Sequence, residues 1–338
     1  MKNRSVFVLL SMCVVLILAT LSFTIGCGKP EPAGPIELRA VGFLPENHPN
    51  TQQWLRFHKM IEEESNGELI VNYLGGGEVI SFMDAPLALL EGPEGGFDMI
   101  LSGAAFVKAL VPEAMTLEMS DITQQEEHDS GYVKLVQDAH EKAGFYFVGR
   151  STPNTGARFH LFTNKPAAKL ADLKGFKIST LMMLSVPLEE LGMSQINMPS
   201  AEVYSALERG VADGYIGGID GVYPRGFHEV LEVCIDHQFL TNGMTTLMSM
   251  EGWNQIPKRL QDKLVSAQMR YESWVIEGVI KEDARQRQLL VDAGIKFIKL
   301  SPDEAETLVN AFYRANYNLV METAPELGPK MLELIYKK

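Results

Sequence analysis

Two α/β units in series, followed by one very long helical stretch, predict a two-lobed α/β fold with a long helix spanning both lobes. Three observations carry this. Short period-two apolar runs alternate with helical segments twice over, the pattern of strands joined by crossovers in a largely parallel sheet. About 38 residues beyond Trp253 keep helical character, roughly 57 Å at helical rise and longer than one lobe. The 338 residues, 46% hydrophobic and 22% charged, suffice for two cores.

In the first unit "IELRAVGF" (36–43) alternates as a strand. "NTQQWLRFHKMIEEESNG" (50–67) reads as a helix capped by Asn50 and stopped by Gly67. A strand at 68–74, a short helix around 85–90, a strand at 97–102, a helix at 130–144 and a strand at 145–150 follow. The pattern restarts after "STPNTG" (151–156). Strands are expected at 157–163, 176–179, 194–198 and 213–218. Helices are expected before Leu191 and at 200–210, the latter capped by Ser200 and stopped by Gly210. The first lobe is assigned residues 35–153 and 244–283, the second 154–243 and 284–338. The chain therefore crosses between lobes more than once, and closure is expected to be a hinge motion.

The N-terminus reads as a secretory signal over 1–26 and a linker over 27–34. Lys2 and Arg4 precede a nearly unbroken apolar run from Val6 to Leu21, then Gly26-Cys27 and the polar "GKPEPAGP". A cysteine after a small residue suggests lipidation of Cys27, although Thr24 stands where such signals usually carry leucine. The alternative is a plain anchor, since Val6 to Ile25 is nearly long enough to span a bilayer. Either reading places 35–338 outside the cytoplasm. Removing 1–26 takes Lys2 and Arg4 away and moves the net charge from −13 to −15. No basic patch fits a phosphate backbone, which excludes nucleic acid as a partner. Of three cysteines, only Cys234 stays in the body, so an internal disulfide is excluded there and a buried inert thiol is expected.

Marks of an enzyme are missing. "GGGE" (75–78) lacks the Lys-Ser/Thr of a P-loop, no GxSxG elbow occurs, and "HEVLE" (228–232) has Glu232 where a zinc helix needs histidine. The run Glu126, Glu127, His128, Asp129 reads as a solvated helix start rather than a metal site, and the seven histidines show no ligand spacing. No cofactor and no metal are called for. What remains is an exported, acidic, two-lobed binding protein whose ligand lies at strand ends, in the cleft.

"AEVYSALERG" followed by "GVADGYIGG" resembles the EVYxALxxGxxDG signature of the substrate-binding proteins of TRAP transporters, the DctP type. The resemblance covers almost the whole mature chain, through "ENHPN" (46–50), "SNGELIVNYLGGGEV" (65–79), "TNKPAAKLADLKGFKI" (163–178), "WNQIPKRLQDKL" (253–264) and "LLVDAGIKFIKLSPDE" (289–304). It implies a periplasmic-binding-protein-like (Venus flytrap) fold. It also implies capture of a small organic acid and delivery to a membrane permease driven by an ion gradient.

The resemblance also implies a carboxylate-binding arginine after "GFKI", where guanidinium would fork onto the substrate. This chain has Ser179 there, and it reads Tyr215, Ile216, Gly217 and Gly218 where an asparagine is usual soon after the DG pair. Arg158, in "TGARFH", falls where many members carry a second arginine, and is expected to be the surviving anion contact, with His160 on the same strand face. An inter-strand surface role for Arg158 is the alternative. Arg225 is a lesser candidate. Ser179, Thr180, Tyr215, Gly217 and Tyr223 would line the second-lobe wall, with Phe43, His48 and Ser102 opposite. His48 is equally well explained as a loop-structuring residue. Leu181, Met182, Met183, Met244, Met248 and Met250 fill core or line an adaptable pocket.

A monocarboxylate with an apolar or aromatic body fits this set, a neutral polyol or lactone is the alternative, and a dicarboxylate is disfavoured. The same fold could also serve an ABC importer or a sensor, an exported enzyme would need a reactive pair in the cleft, and a degenerate lipoprotein would bind nothing.

Overall fold

The computed structural model describes residues 34–152, 158–180, 184–199, 202–241 and 243–336. The leader, Cys27, Gly156, 181–183 and Ser200 lie outside the described residues, so the expectations placed on them are carried no further by the structure.

The first half of the chain runs β1 (Ile36–Val41), α1 (Pro49–Glu64), β2 (Leu69–Gly75), α2 (Ala85–Leu90), β3 (Met99–Gly103), α3 (Ala104–Val107), a 3₁₀ segment (Pro112–Glu118), α4 (Gln124–Asp129), α5 (Tyr132–Lys142) and β4 (Phe145–Arg150). Next come β5 (Arg158–Thr163), β6 (Lys177–Ser179), α6 (Ser185–Glu190), β7 (Ser194–Ile196), α7 (Val203–Glu208), β8 (Gly214–Gly217) and β9 (Val233–Thr241). The chain then returns through β10 (Met244–Ser249) and α8 (Met250–Gln255) to α9 (Lys258–Asp292), and closes with β11 (Lys296–Ile298), α10 (Pro302–Thr323) and α11 (Gly328–Ile335). Among the described residues no helix is long and apolar enough to cross a membrane.

Two sheets result, ordered β2-β1-β3-β10-β4 and β11-β9-β5-β8-β6-β7. Both are mixed, against the expectation of largely parallel sheets. β1 and β3 are parallel, as are β6 with β7 and β8, and β9 with β11. β10 runs antiparallel to β3 and β4, and β5 antiparallel to β8 and β9. The cause is the crossing. β5 and β10 each enter their sheet directly from the other one, so each starts at the cleft end, where the remaining strands finish.

The helix expected at 50–67 begins earlier. Pro49 takes its first position, where a missing N–H costs nothing, and His48 rather than Asn50 is the N-cap, its Nδ1 accepting from Asn50 N–H at 3.2 Å. α9 is 35 residues long, about 52 Å at helical rise. It packs on α1 and β4 of the first lobe and on the 3₁₀ turn Ile219–Gly221 of the second. It clasps the outgoing crossing: Gln268 Nε2 donates to Arg150 O at 2.7 Å and Tyr271 Oη to Ser151 O at 2.8 Å. The C-terminal region, assigned from sequence to the second lobe, is shared. β11 joins the second sheet, whereas α11 packs on α5 and Pro112–Glu118 of the first lobe. Cys234 is a free, fully buried thiol whose pKa burial raises well above its ordinary value.

Candidate functional site

On the second lobe "DGYIGGIDGVYPRG" (213–226) carries β8 into the turn Ile219–Gly221 and on to Arg225. Asp213 anchors its start. Its carboxylate accepts from Lys177 N–H at 2.9 Å and pairs with Lys165, which ties the beginnings of β6 and β8 to the end of β5. Burial pushes the Asp213 carboxyl up, but Lys165 and the Lys177 amide outweigh it and hold it below its usual range.

Beyond β8 the chain is glycine-rich because polar side chains fold back onto it. A Cβ at Gly217 would collide with the Tyr215 hydroxyl, one at Gly218 with Asp220 Oδ1, and one at Gly221 with Arg225 Nη2. The glycine floor lets three polar groups converge. Arg225 Nη2 donates to Tyr215 Oη at 2.7 Å, and Nε donates to Gly221 O at 2.6 Å. The guanidinium stands 4.9 Å from the Tyr215 ring centre and 4.6 Å from that of Phe227, a cation–π stack that positions the charge without neutralising it. Among the described residues Arg225 has no carboxylate within ion-pairing distance. Asp220 lies near enough to be pulled down by Arg225, although burial raises its carboxyl overall.

Phe43, expected from the sequence to face these residues, sits in an aromatic cluster. Phe43 packs edge-on against Phe106 at 5.0 Å between ring centres, and Phe106 meets Phe82 at 4.6 Å. Gly76 and Gly77 let the "GGGE" loop approach the carbonyls of Leu44 and Phe43, and Glu78 accepts from Gly76 N–H at 2.7 Å. That loop thus braces Phe43. His48 lies within the fields of Asp220 and Arg225 across the cleft; desolvation is the main cause that lowers its pKa. With Nδ1 capping α1, its Nε2 is the atom left to point elsewhere.

Other expected site residues fall differently. Arg158 is committed to structure. Its Nη1 donates to Asp121 Oδ1 at 3.0 Å and Tyr313 Oη at 3.1 Å, and its Nη2 to Ser120 O. It is not on the His160 face as expected. The β5–β9 register slips between Arg158 and Phe159, and such a bulge re-aims a side chain. His160 stays beside Phe162, 1% exposed, and burial pushes its ring down to about 4. Ser179 ends β6, buried beside Tyr215 on β8. Thr180 is half-buried, and its carbonyl accepts from Gln195 Nε2 at 2.9 Å. Ser102 sits directly across from Thr245 on β10, and neither hydroxyl has a partner among the described residues. Tyr223 is stacked on His228 at 4.0 Å. Met244 and Met248 are buried, and the Met244 sulfur accepts from Asn50 Nδ2 at 3.5 Å.

The acidic run 126–129 is a correction. Thr123 and Glu126 form a capping box at the start of α4, but Glu127 is 1% exposed and binds buried Arg150 through both oxygens, at 2.7 and 2.8 Å. His128 meets Glu272 at 2.8 Å. The helix start is therefore half interior, because Arg150 at the end of β4 needs a counter-charge. Among the described residues no group of three His, Cys, Asp or Glu could hold a metal.

The profile of bacterial extracellular solute-binding protein family 7, DctP, matches residues 41–320. A solute-binding protein of Sulfitobacter sp. (strain NAS-14.1) is 22% identical over 268 residues, 76% of this chain and 79% of that protein. A monocarboxylate 2-oxoacid-binding periplasmic protein of Nostoc sp. (strain PCC 7120) is 22% identical over 186 residues, 54% of this chain and 50% of that one. A TRAP periplasmic solute-binding protein from Desulfovibrio salexigens, solved with bound orotic acid, superposes with a TM-score of 0.71 at 19% identity, covering 88% of this chain and 96% of that one. The fold and the family match agree: this chain belongs to the DctP family of extracellular solute-binding proteins, the non-enzymatic receptors of TRAP transport.

Proposed function

We propose that the protein captures a small organic monocarboxylate with an apolar or aromatic body in the inter-lobe cleft, and that hinge closure presents it to the integral membrane subunits of a TRAP permease. The observation that carries this reading is Arg225, a guanidinium held by Tyr215 and Phe227 with no ion-pair partner among the described residues. It takes the part expected of Arg158 from the sequence. The wall of Phe43, Phe82 and Phe106 supplies the apolar half of the site. A second carboxylate would meet Asp220 or that wall, and an unpaired buried charge costs on the order of several kcal/mol. The orotic acid of the Desulfovibrio salexigens protein is a ligand of one carboxylate on a ring. A lipid on Cys27 would keep the receptor at the membrane outside the cytoplasm.

A neutral ligand is the second reading. It is favoured by Ser179 at the strand end and by the engagement of Arg158 with Asp121. Thermal unfolding with pyruvate, benzoate, orotate, succinate and glycerol separates the two, since a ligand at a hundred times its Kd adds about 2.7 kcal/mol. Stabilisation by a monocarboxylate that disappears in Arg225→Ala and persists in Arg158→Ala is the expected result. Stabilisation by glycerol alone, or equal loss in Arg158→Ala, overturns the assignment.

A further inference from the structure

A second pocket, of about 350 Å³, lies in the first lobe along the outer edge of β4, between α5 and α9. None of the cleft residues lines it. Val136, Phe147 and Met269 give it apolar walls, and Gln124, Arg150 and Gln268 also line it. The charges nearby are already matched. Both oxygens of Glu127 are held by Arg150, and Glu272 accepts from Gln268 Nε2 at 2.9 Å while meeting His128 at 2.8 Å. On the residues that line the pocket, four buried polar side-chain atoms have no partner among the described residues: Arg150 Nη1 and Gln124 Nε2 as donors, Gln124 Oε1 and Gln268 Oε1 as acceptors. Their side chains are only 3%, 4% and 3% exposed for Arg150, Gln124 and Gln268.

We propose that this pocket binds a small uncharged molecule bearing a carboxamide, lactam or urea group on an apolar body. Two leftover donors and two leftover acceptors match a head group that both donates and accepts. An anion gains little from Arg150, whose charge Glu127 cancels, and a cation finds both carboxylates occupied. The four atoms are closed off from bulk solvent in this conformation. Recognition therefore requires the Gln124 amide, which has no side-chain partner among the described residues, to turn aside as the molecule enters. Burying polar atoms without partners works against folding, and leucine at position 124 would fill nearly the same volume without that penalty.

The test is thermal unfolding and calorimetric titration of the purified protein with benzamide, δ-valerolactam and N-methylurea. Wild type, Gln124→Leu, Val136→Phe and Arg225→Ala are compared. The expected result is a benzamide-induced rise in Tm that survives Arg225→Ala and is lost, with at least a tenfold weaker Kd, in Gln124→Leu and Val136→Phe. Gln124→Leu should also raise the Tm of the ligand-free protein, which confirms that the variant folds. Failure of all three probes to bind wild type overturns the proposal. So does benzamide binding that is lost in Arg225→Ala, or a Gln124→Leu protein less stable than wild type.

Discussion

The Arg158 guanidinium meets Asp121, Tyr313 and the Ser120 carbonyl, whereas Arg225 meets two aromatic faces, a phenol and one carbonyl. The first set consumes charge, and the second leaves it available. Arg225→Ala should therefore weaken monocarboxylate binding by about 10–100-fold, the worth of one charge-assisted hydrogen bond, measured by calorimetry. Arg158→Ala should leave that Kd unchanged and lower unfolding free energy by about 2–4 kcal/mol, because Asp121 keeps the Tyr313 hydroxyl but loses its ion-pair partner, measured by urea unfolding. The sequence shows both arginines and cannot rank them. The ranking depends on a slip in register after Arg158 and on an aspartate 37 positions away in the chain, neither of which leaves a local pattern. Ser179 is buried at the end of β6, so that strand end presents no charge. The close approach of the Tyr215 hydroxyl to Gly217 leaves no mark in the sequence, because it depends on how the side chain folds back over the turn.

Elements with strong periodicity were readable to within a few residues: β4, α2 and α9 lie where the alternation and the helical run put them. β10 was not read, since "GMTTLMSM" looks like a methionine stripe when its cross-strand partners are unseen. It is buried on both faces between β3 and β4, so alternation with polar residues is not required. The glycines of the β8 turn make the next prediction. Gly221→Ala should cost little stability, because the atom it displaces is the far end of the Arg225 side chain. It should still weaken ligand binding severalfold by moving the guanidinium off Tyr215, a split that paired unfolding and binding measurements would reveal. Within α9, a Cβ at Gly278 meets nothing within 4 Å. Gly278→Ala should raise stability by about 0.5–1 kcal/mol through helix propensity alone, read from urea unfolding midpoints.

At the scale of the whole molecule the duplication of α/β units was legible, and the antiparallel crossing strands were not, because direction within a sheet is set by where the chain enters it. Acid stability is also a property of the whole. Burial pushes His58 down to about 3, and His140 and His160 down to about 4. Unfolded, each takes up a proton near pH 6.5 that the folded protein refuses, so their contribution is present above that pH and lost as pH falls toward 4, at about 1.4 kcal/mol per unit for each histidine. Glu118 has the opposite sign: burial raises it to about 7, so its penalty appears as pH rises from about 4.5 through 7. Urea unfolding from pH 4 to 8 should show stability climbing to about pH 6.5, and Glu118→Gln should gain roughly 1–3 kcal/mol at pH 8 and little at pH 4.

The crossing strands have a consequence for how the protein comes into being. β10 is the fourth strand of the first sheet, yet it is made after every residue of β5 through β9. A chain emerging N-terminus first must hold β3 and β4 without the strand that joins them until residue 249 has appeared. Sheet edges left open this way are sticky and slow to settle. The first-made lobe is therefore among the last parts to finish. A chain halted before residue 244 has no complete first sheet, which leaves it open to proteases until its final third arrives.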